Sequence, residues 1–165
     1  SSYIVWKGYK VTGSHYGKIM IKSGALEFTD GMLSGGSFAI DMNSITCEDL
    51  QGGTNSKLVG HLKSDDFFSA ATHPVATFTI TRVTPKGTPG DYKIIGDLTI
   101  KGITSEIKFY ANVADMDGEV KASGDITVDR SLYNVRFGSN SFFGNLGDKT
   151  IYDDFELSVN LVAKK

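Results

Sequence analysis

Residues 58–78, LVGHLKSDDFFSAATHPVATF, form the stretch where the apolar pattern leaves the period of a β-strand and takes up that of a helix. Leu58 and Leu62 stand at i and i+4, an apolar stripe of about two turns. The preceding loop, QGGTN at 51–55, predicts a helix start at Ser56. Ser64 offers a cap for a further turn, whose Asp65 and Asp66 suit the positive end of a helix. Phe67 and Phe68 follow, and Pro74 bars helix continuation before strand character returns at Val75. So short a helix needs packing to persist. Barrel walls already cover themselves, so the insertion reads as a cover for an open end.

Outward from this stretch, period-two alternation dominates. Ile19 and Ile21 alternate with Lys18, Met20 and Lys22, and Leu26 and Phe28 share a face up to the turn pair Asp30-Gly31. Phe38, Ile40 and Met42 lie on one face, as do Phe78 and Ile80 opposite Thr77, Thr79 and Thr81. Ile94, Leu98 and Ile100 form the next such set, followed by Ile107, Phe109, Ala111 and Val113. Asp117-Gly118 reads as a hairpin turn into Val120, Ala122, Ile126 and Val128. The last strand is the cleanest, with Ile151, Phe155, Leu157, Val159, Leu161 and Ala163 on one side. Roughly eight strands with hairpin-length links point to an antiparallel barrel or sandwich.

With 165 residues and no shift in composition, the chain fits one domain, 1–165, large enough for a sizeable core. The net charge of −2 and pI near 5.9 give no electrostatic case for nucleic acid or an anionic membrane surface. Nineteen glycines against three prolines suit tight turns and bulged strands. Cys47 stands alone, which excludes an intrachain disulfide. No apolar run of about 18 residues predicts a membrane segment. The chain opens at Ser1 without a basic-then-apolar leader, so an exported protein would be seen here in its mature or trimmed form.

Chemistry-bearing motifs are thin. Residues 35–39, GGSFA, approach a nucleophile elbow, but Ser37 begins a strand where that motif needs a strand-to-helix turn. Residues 115–118, DMDG, resemble the start of a calcium loop but lack a downstream bidentate Glu, and a hairpin turn is the simpler reading. His15, His61 and His73 show no ligand spacing, so no metal site is expected. His61 reads as a helix-face residue and His73 as a turn residue. No glycine-rich loop opens a helix, and no cofactor is implied. What remains is aromatic surface: ten Phe, seven Tyr and one Trp, which either fill the core or line a ligand cavity.

An ordered series of motifs resembles the YceI-like family. It comprises FAIDMNSI at 38–45, LKSDDFF at 62–68, HPVATF at 73–78, GDLTIKGIT at 96–104 and DRSLYN at 129–134. The match covers about residues 36 to 135 and departs from the family pattern in the N-terminal stretch around Trp6, His15 and Tyr16. The resemblance implies an all-β fold, an extended eight-stranded antiparallel barrel of lipocalin-like architecture with one short helical insertion. It further implies binding of a polyisoprenoid, isoprenoid quinone or other long-chain fatty amphiphile in an apolar channel, without shared catalysis, in a periplasmic or secreted setting. A homodimer stays open.

On that reading the channel wall is Phe38, Ile40, Phe78, Ile80, Leu98, Ile100, Phe109 and Phe155. The lid is Leu58, Leu62, Phe67 and Phe68; Arg130 or Arg136 is a candidate to meet a polar head at the mouth, although solvated loop charges are the simpler reading of both. Two other readings remain: an enzyme acting on a bound amphiphile, which needs a convergent acid–base pair in the cavity, and a structural or stress-related module with a filled core.

Overall fold

The computed structural model describes residues 2–116, 118–139, 141–144 and 146–164. Eight antiparallel strands close into a barrel in which each pairs with its sequence neighbours and the last returns to the first. They are β1 (Tyr3–Lys10), β2 (Gly13–Thr29), β3 (Met32–Asp41), β4 (Val75–Pro85), β5 (Asp91–Ile100), β6 (Ile103–Met116), β7 (Glu119–Asp129) and β8 (Asp154–Lys164). A helix, α1 (Gly52–Lys63), lies in the β3–β4 connection. The expected barrel with a helical insertion is present.

The strand count agrees with the sequence reading for a compensating reason. Ile19 and Leu26, read as parts of two strands, belong to the single 17-residue β2. A register shift between Ile21 and Ser23 inserts an extra residue there, and this bulge flips the side-chain parity that made one strand look like two. The missing strand is β1, whose YIVWKGYK has apolar residues at consecutive positions and therefore no clean period of two.

The two barrel ends differ. In an up-and-down barrel alternate connections share an end, so the β2–β3, β4–β5 and β6–β7 links lie together. Asp30 and Gly31 join the first pair with φ of 52° and 79°, the left-handed values a two-residue hairpin needs. Asp117 of the predicted Asp117-Gly118 turn lies outside the described residues. The opposite end carries the short β1–β2 and β5–β6 turns and both long connections, residues 42–74 with α1 and residues 130–153. All the bulk that could cover a barrel mouth is therefore at one end.

The helix begins earlier than its sequence suggests, at Gly52 rather than Ser56. Asn55 explains this: its side-chain amide donates to the carbonyls of Cys47 at 2.7 Å and Leu50 at 2.9 Å, which ties down the first turn. Ser64 is the C-cap of α1, its N–H donating to the His61 carbonyl, and no further helical turn follows. The chain instead makes tight turns closed by Phe67 and Ser69 N–H groups on the Ser64 carbonyl, with Ser69 left-handed at φ 48°.

β3 pairs with β2 only from Met20 onward, which would leave the first half of β2 with an open edge. The segment after β3 fills it: Thr46 N–H donates to Lys18 O and Glu48 N–H to Tyr16 O, each at 2.8 Å. Gly17 permits this approach, since a Cβ there would fall 1.8 Å from the Thr46 carbonyl oxygen. Gly17→Ala is thus expected to destabilise the barrel by about 2–3 kcal/mol, measured by urea unfolding, because backbone must move to relieve the clash. An unchanged midpoint would contradict the packing described.

Candidate functional site

Inside the barrel the long-connection end holds a cavity of about 750 Å³, within the usual range for small-molecule sites. Alternation sets its walls. β1 turns Ile4, Trp6, Gly8 and Lys10 inward, β2 contributes Gly13, His15 and Ile19, and β8 contributes Phe155 and Leu157. From the lid come Leu58, His61 and Leu62 of α1, with Phe67 and Phe68 just after it. Ile151, Phe137 and Phe143 of the 130–153 connection complete the cover.

The predicted site residues divide by depth. Ile40, Leu58, Leu62, Phe67, Phe68, Leu98, Ile100, Arg130 and Phe155 all line the cavity. Phe38, Phe78, Ile80 and Phe109 do not; they stack in the interior beyond it. The reason is local packing. Phe78 lies against Gly96, where a Cβ would come within 2.5 Å of its ring, and meets Phe109 at 5.6 Å between ring centres. Phe38 fills the gap over Gly24 in the same way, at 2.2 Å from a virtual Cβ. Rings over glycines fill that half of the barrel, so the apolar space is a cavity at one end.

Arg130 is not a solvated loop charge. It is 3% exposed and donates to the carbonyls of Val135 at 2.8 Å, Ile151 at 3.0 Å and Tyr152 at 3.1 Å. Its guanidinium also lies 5.7 Å from the centre of the Phe67 ring. Burial pushes its pKa down, while Asp153 and Asp129 hold the charge. The side chain thus anchors the 130–153 cover and the lid phenylalanine together. Arg136 stays outside this cavity, over the Phe142 ring and hydrogen-bonded to the Asn134 side chain.

Two histidines reach the cavity beside carboxylates. His61 Nε2 meets Asp66 at 2.9 Å, and its ring packs edge-on against Phe67 and Phe137. His15 Nδ1 lies 2.7 Å from Asp49, which also accepts from the Tyr16 N–H and the Cys47 thiol. Desolvation pushes the Asp49 carboxyl up, yet the bonds from Cys47, His15 and Tyr16 together outweigh it and hold it at about 2. A carboxylate only accepts, so His15 Nδ1 carries the proton and Nε2 is the ring nitrogen left to the cavity. The Cys47 thiol is buried and its pKa is raised, chiefly by that burial, the opposite of what a nucleophile requires.

The folded-state Asp49 carboxyl titrates below its ordinary 3.8, so it stabilises the fold above that value and loses this effect as pH falls toward about 2. With the side chain 21% exposed, the contribution is discounted to on the order of 1–2 kcal/mol. Asp49→Asn should therefore lack that part of the acid-side loss of stability, read from urea midpoints between about pH 5 and pH 2. A variant as acid-sensitive as the parent would refute the assignment.

Sequence reasoning missed His15 and Trp6, although the signal for one was available. Ile19 and Ile21 place odd positions inside, and the same parity carried back puts Gly17 and His15 there too. Trp6 had no such signal, because β1 does not alternate.

Comparison with known proteins agrees with this architecture. The YceI-like domain model matches residues 1–163, including the N-terminal stretch that departs from the family motifs. A UPF0312 protein of Pectobacterium atrosepticum is 34% identical over 86 residues, which is 47% of this chain and 44% of that protein. The chain thus matches about half the length of such curated relatives. Among solved structures, Burkholderia cenocepacia BcnA superposes with a TM-score of 0.80 at 23% identity, covering 99% of this chain and 96% of that one. A polyisoprenoid binding domain from Saccharophagus degradans, implicated in plant cell wall breakdown, gives 0.72 at 16% identity over 99% and 93% of the two chains. At such identities the structures speak for the shared fold. With the family model spanning nearly every residue, the chain belongs to the YceI-like family.

Proposed function

We propose that this protein binds and carries a long-chain amphiphile, of the polyisoprenoid or comparable lipid class, and performs no chemistry on it. The observation that carries the reading is the cavity of about 750 Å³, walled by apolar side chains and covered by α1 with Phe67 and Phe68. Each methylene withdrawn from water contributes roughly 0.8 kcal/mol, so a segment of about ten carbons supplies roughly 8 kcal/mol before ordering costs. The polyisoprenoid class is supported by the Saccharophagus degradans domain of the same fold. Transport through a periplasmic or extracellular aqueous phase is part of the proposal; no helix among the described residues is long and apolar enough to cross a membrane.

The His15–Asp49 and His61–Asp66 pairs favour a catalytic reading in one respect, since each sets an imidazole beside a carboxylate at the cavity. The thiol in the first network is buried and turned to Asp49, and His61 is wedged between two phenyl rings. Both pairs therefore read as holding the cover in place. The test is mass spectrometry of an organic extract of the purified protein, followed by titration with a polyprenol. Co-purifying lipid or saturable polyprenol binding is expected. Neither appearing would end the proposal.

A further inference from the structure

Apolar side chains left on the surface gather at the cavity end. Of the twelve large ones exposed among the described residues, five belong to the 130–153 connection: Leu132, Phe137, Phe142, Phe143 and Tyr152. Val11 joins them, since its N–H bonds the Thr150 carbonyl at 3.1 Å. The opposite end shows Phe28 and Met32, on either side of one hairpin turn. Single exposed apolar residues are ordinary, whereas a cluster on one connection marks a contact surface.

A fixed backbone presents these rings. Phe143 N–H donates to the Ser139 carbonyl at 2.9 Å, and Ile151 N–H to that of Gly138 at 2.8 Å. Gly138 is left-handed at φ 67°, and the hydroxyls of Ser139 and Ser141 both donate to Asp153. The turn is thus tied down, yet Phe143 and Phe142 remain 50% and 38% exposed.

This surface is continuous with the cavity. Phe137 and Phe143 are exposed on one side and line the cavity on the other. The Phe137 ring also meets the lid, with its centre 5.5 Å from that of Phe67 and 4.5 Å from that of His61.

The polar groups around the rings suit a lipid headgroup layer. Arg136 is exposed, and its guanidinium lies 4.5 Å from the centre of the Phe142 ring, which sets a charged tip over an apolar plate. Lys149 is exposed and has no ion-pair partner among the described residues. Asp65 and Asp66 share a polar pocket with Phe137 and Phe143, but Lys101 and Arg136 oppose them there. That pocket therefore carries no net negative charge to repel lipid phosphates.

We propose that the 130–153 cover docks on a phospholipid bilayer through Leu132, Phe142 and the exposed edge of Phe143, so that the guest passes directly between acyl layer and cavity. This rests on the amphiphile-binding reading above and adds where the guest is exchanged. The physical reason is the barrier. A long apolar chain that crosses water must first lose its burial, whereas a mouth seated in the interface replaces one apolar contact by another. With a net charge of −2 the chain gains little from long-range attraction, so the apolar side chains carry the contact. A second copy of this chain on the same rings would cover the cavity mouth and obstruct exchange.

The test follows a dansyl-labelled polyprenol from loaded protein into phosphatidylcholine vesicles by fluorescence, at a series of vesicle concentrations. Docking makes the transfer rate rise in proportion to vesicle concentration, and release through water leaves it constant. In the Leu132→Ser, Phe142→Ser double variant, neither side chain of which lines the cavity, the rate should fall about tenfold or more. Its equilibrium affinity for the probe should stay within about twofold of the parent's, and its thermal midpoint should be retained. Each single substitution should give part of the effect, and Met32→Ser at the opposite end should transfer at the parent's rate. A rate independent of vesicle concentration overturns the docking and leaves the amphiphile reading standing. An undiminished rate in the double variant, or equal slowing by Met32→Ser, overturns the assignment to the cover. A dimer seen by analytical ultracentrifugation and abolished in the double variant, with no vesicle dependence, overturns it in favour of a second copy. No binding of the probe by the parent overturns both readings.

Discussion

Gly8→Phe is expected to weaken binding of a long-chain amphiphile by about a hundredfold while leaving the barrel folded. Gly8 lines the cavity, and a Cβ built on it would meet only the Trp6 ring edge, at 3.9 Å. Its backbone lies in regular strand opposite His15, so a side chain is accepted without strain. A benzyl group projecting inward would occupy space otherwise open to about four chain carbons. At roughly 0.8 kcal/mol per methylene this forfeits about 3 kcal/mol, or two decades of affinity. Displacement titration with a fluorescent fatty ligand reads the binding, and thermal unfolding checks the fold. Unaltered affinity in a folded variant would show that the guest does not use this part of the cavity.

Arg130→Met should be the most destabilising of the substitutions considered, by on the order of 4 kcal/mol, lowering Tm by roughly 10 °C. The loss has a definite origin. Methionine approximates the aliphatic stem but leaves the carbonyls of Val135, Ile151 and Tyr152 without their donor in a buried setting. Each such orphan costs about 1–3 kcal/mol. Phe67 also loses the guanidinium beside its ring. Because these carbonyls belong to the 130–153 cover, limited proteolysis should cut first within that connection. Arg130→Lys should recover only part of the stability, since one ammonium cannot span three divergent acceptors. A Met variant as stable as the parent would show that the guanidinium is not what holds the cover.

Both expectations concern features that sequence reading reached unequally. The lid was legible: Leu58 and Leu62 at helical spacing, the Phe67-Phe68 pair and the stop at Pro74 are local signals, and these four apolar side chains line the cavity. The helix start was misplaced because Asn55 acts through carbonyls of residues outside the helix, a contact no local pattern reveals. The depth of the cavity was misjudged for a related reason. Alternation shows that Phe38, Phe78 and Phe109 face inward, but not that glycines on adjacent strands let their rings close one half of the interior.

The sequence by itself determined which residues face inward along most strands, where the hairpins turn and where a helix interrupts them. These are properties of chain neighbours, encoded in periods of two and 3.6 and in turn dipeptides. Only the tertiary structure decided how much of the interior is empty and which distant segments meet at its rim. Interior volume depends on register between strands, which sets Phe78 against Gly96 and Phe38 against Gly24. Lys10 and Ile151, both lining the cavity, come together because an isolated β-bridge joins the first strand to the segment that precedes the last. Proximity across such separations is fixed by the closed sheet, and no local pattern records it.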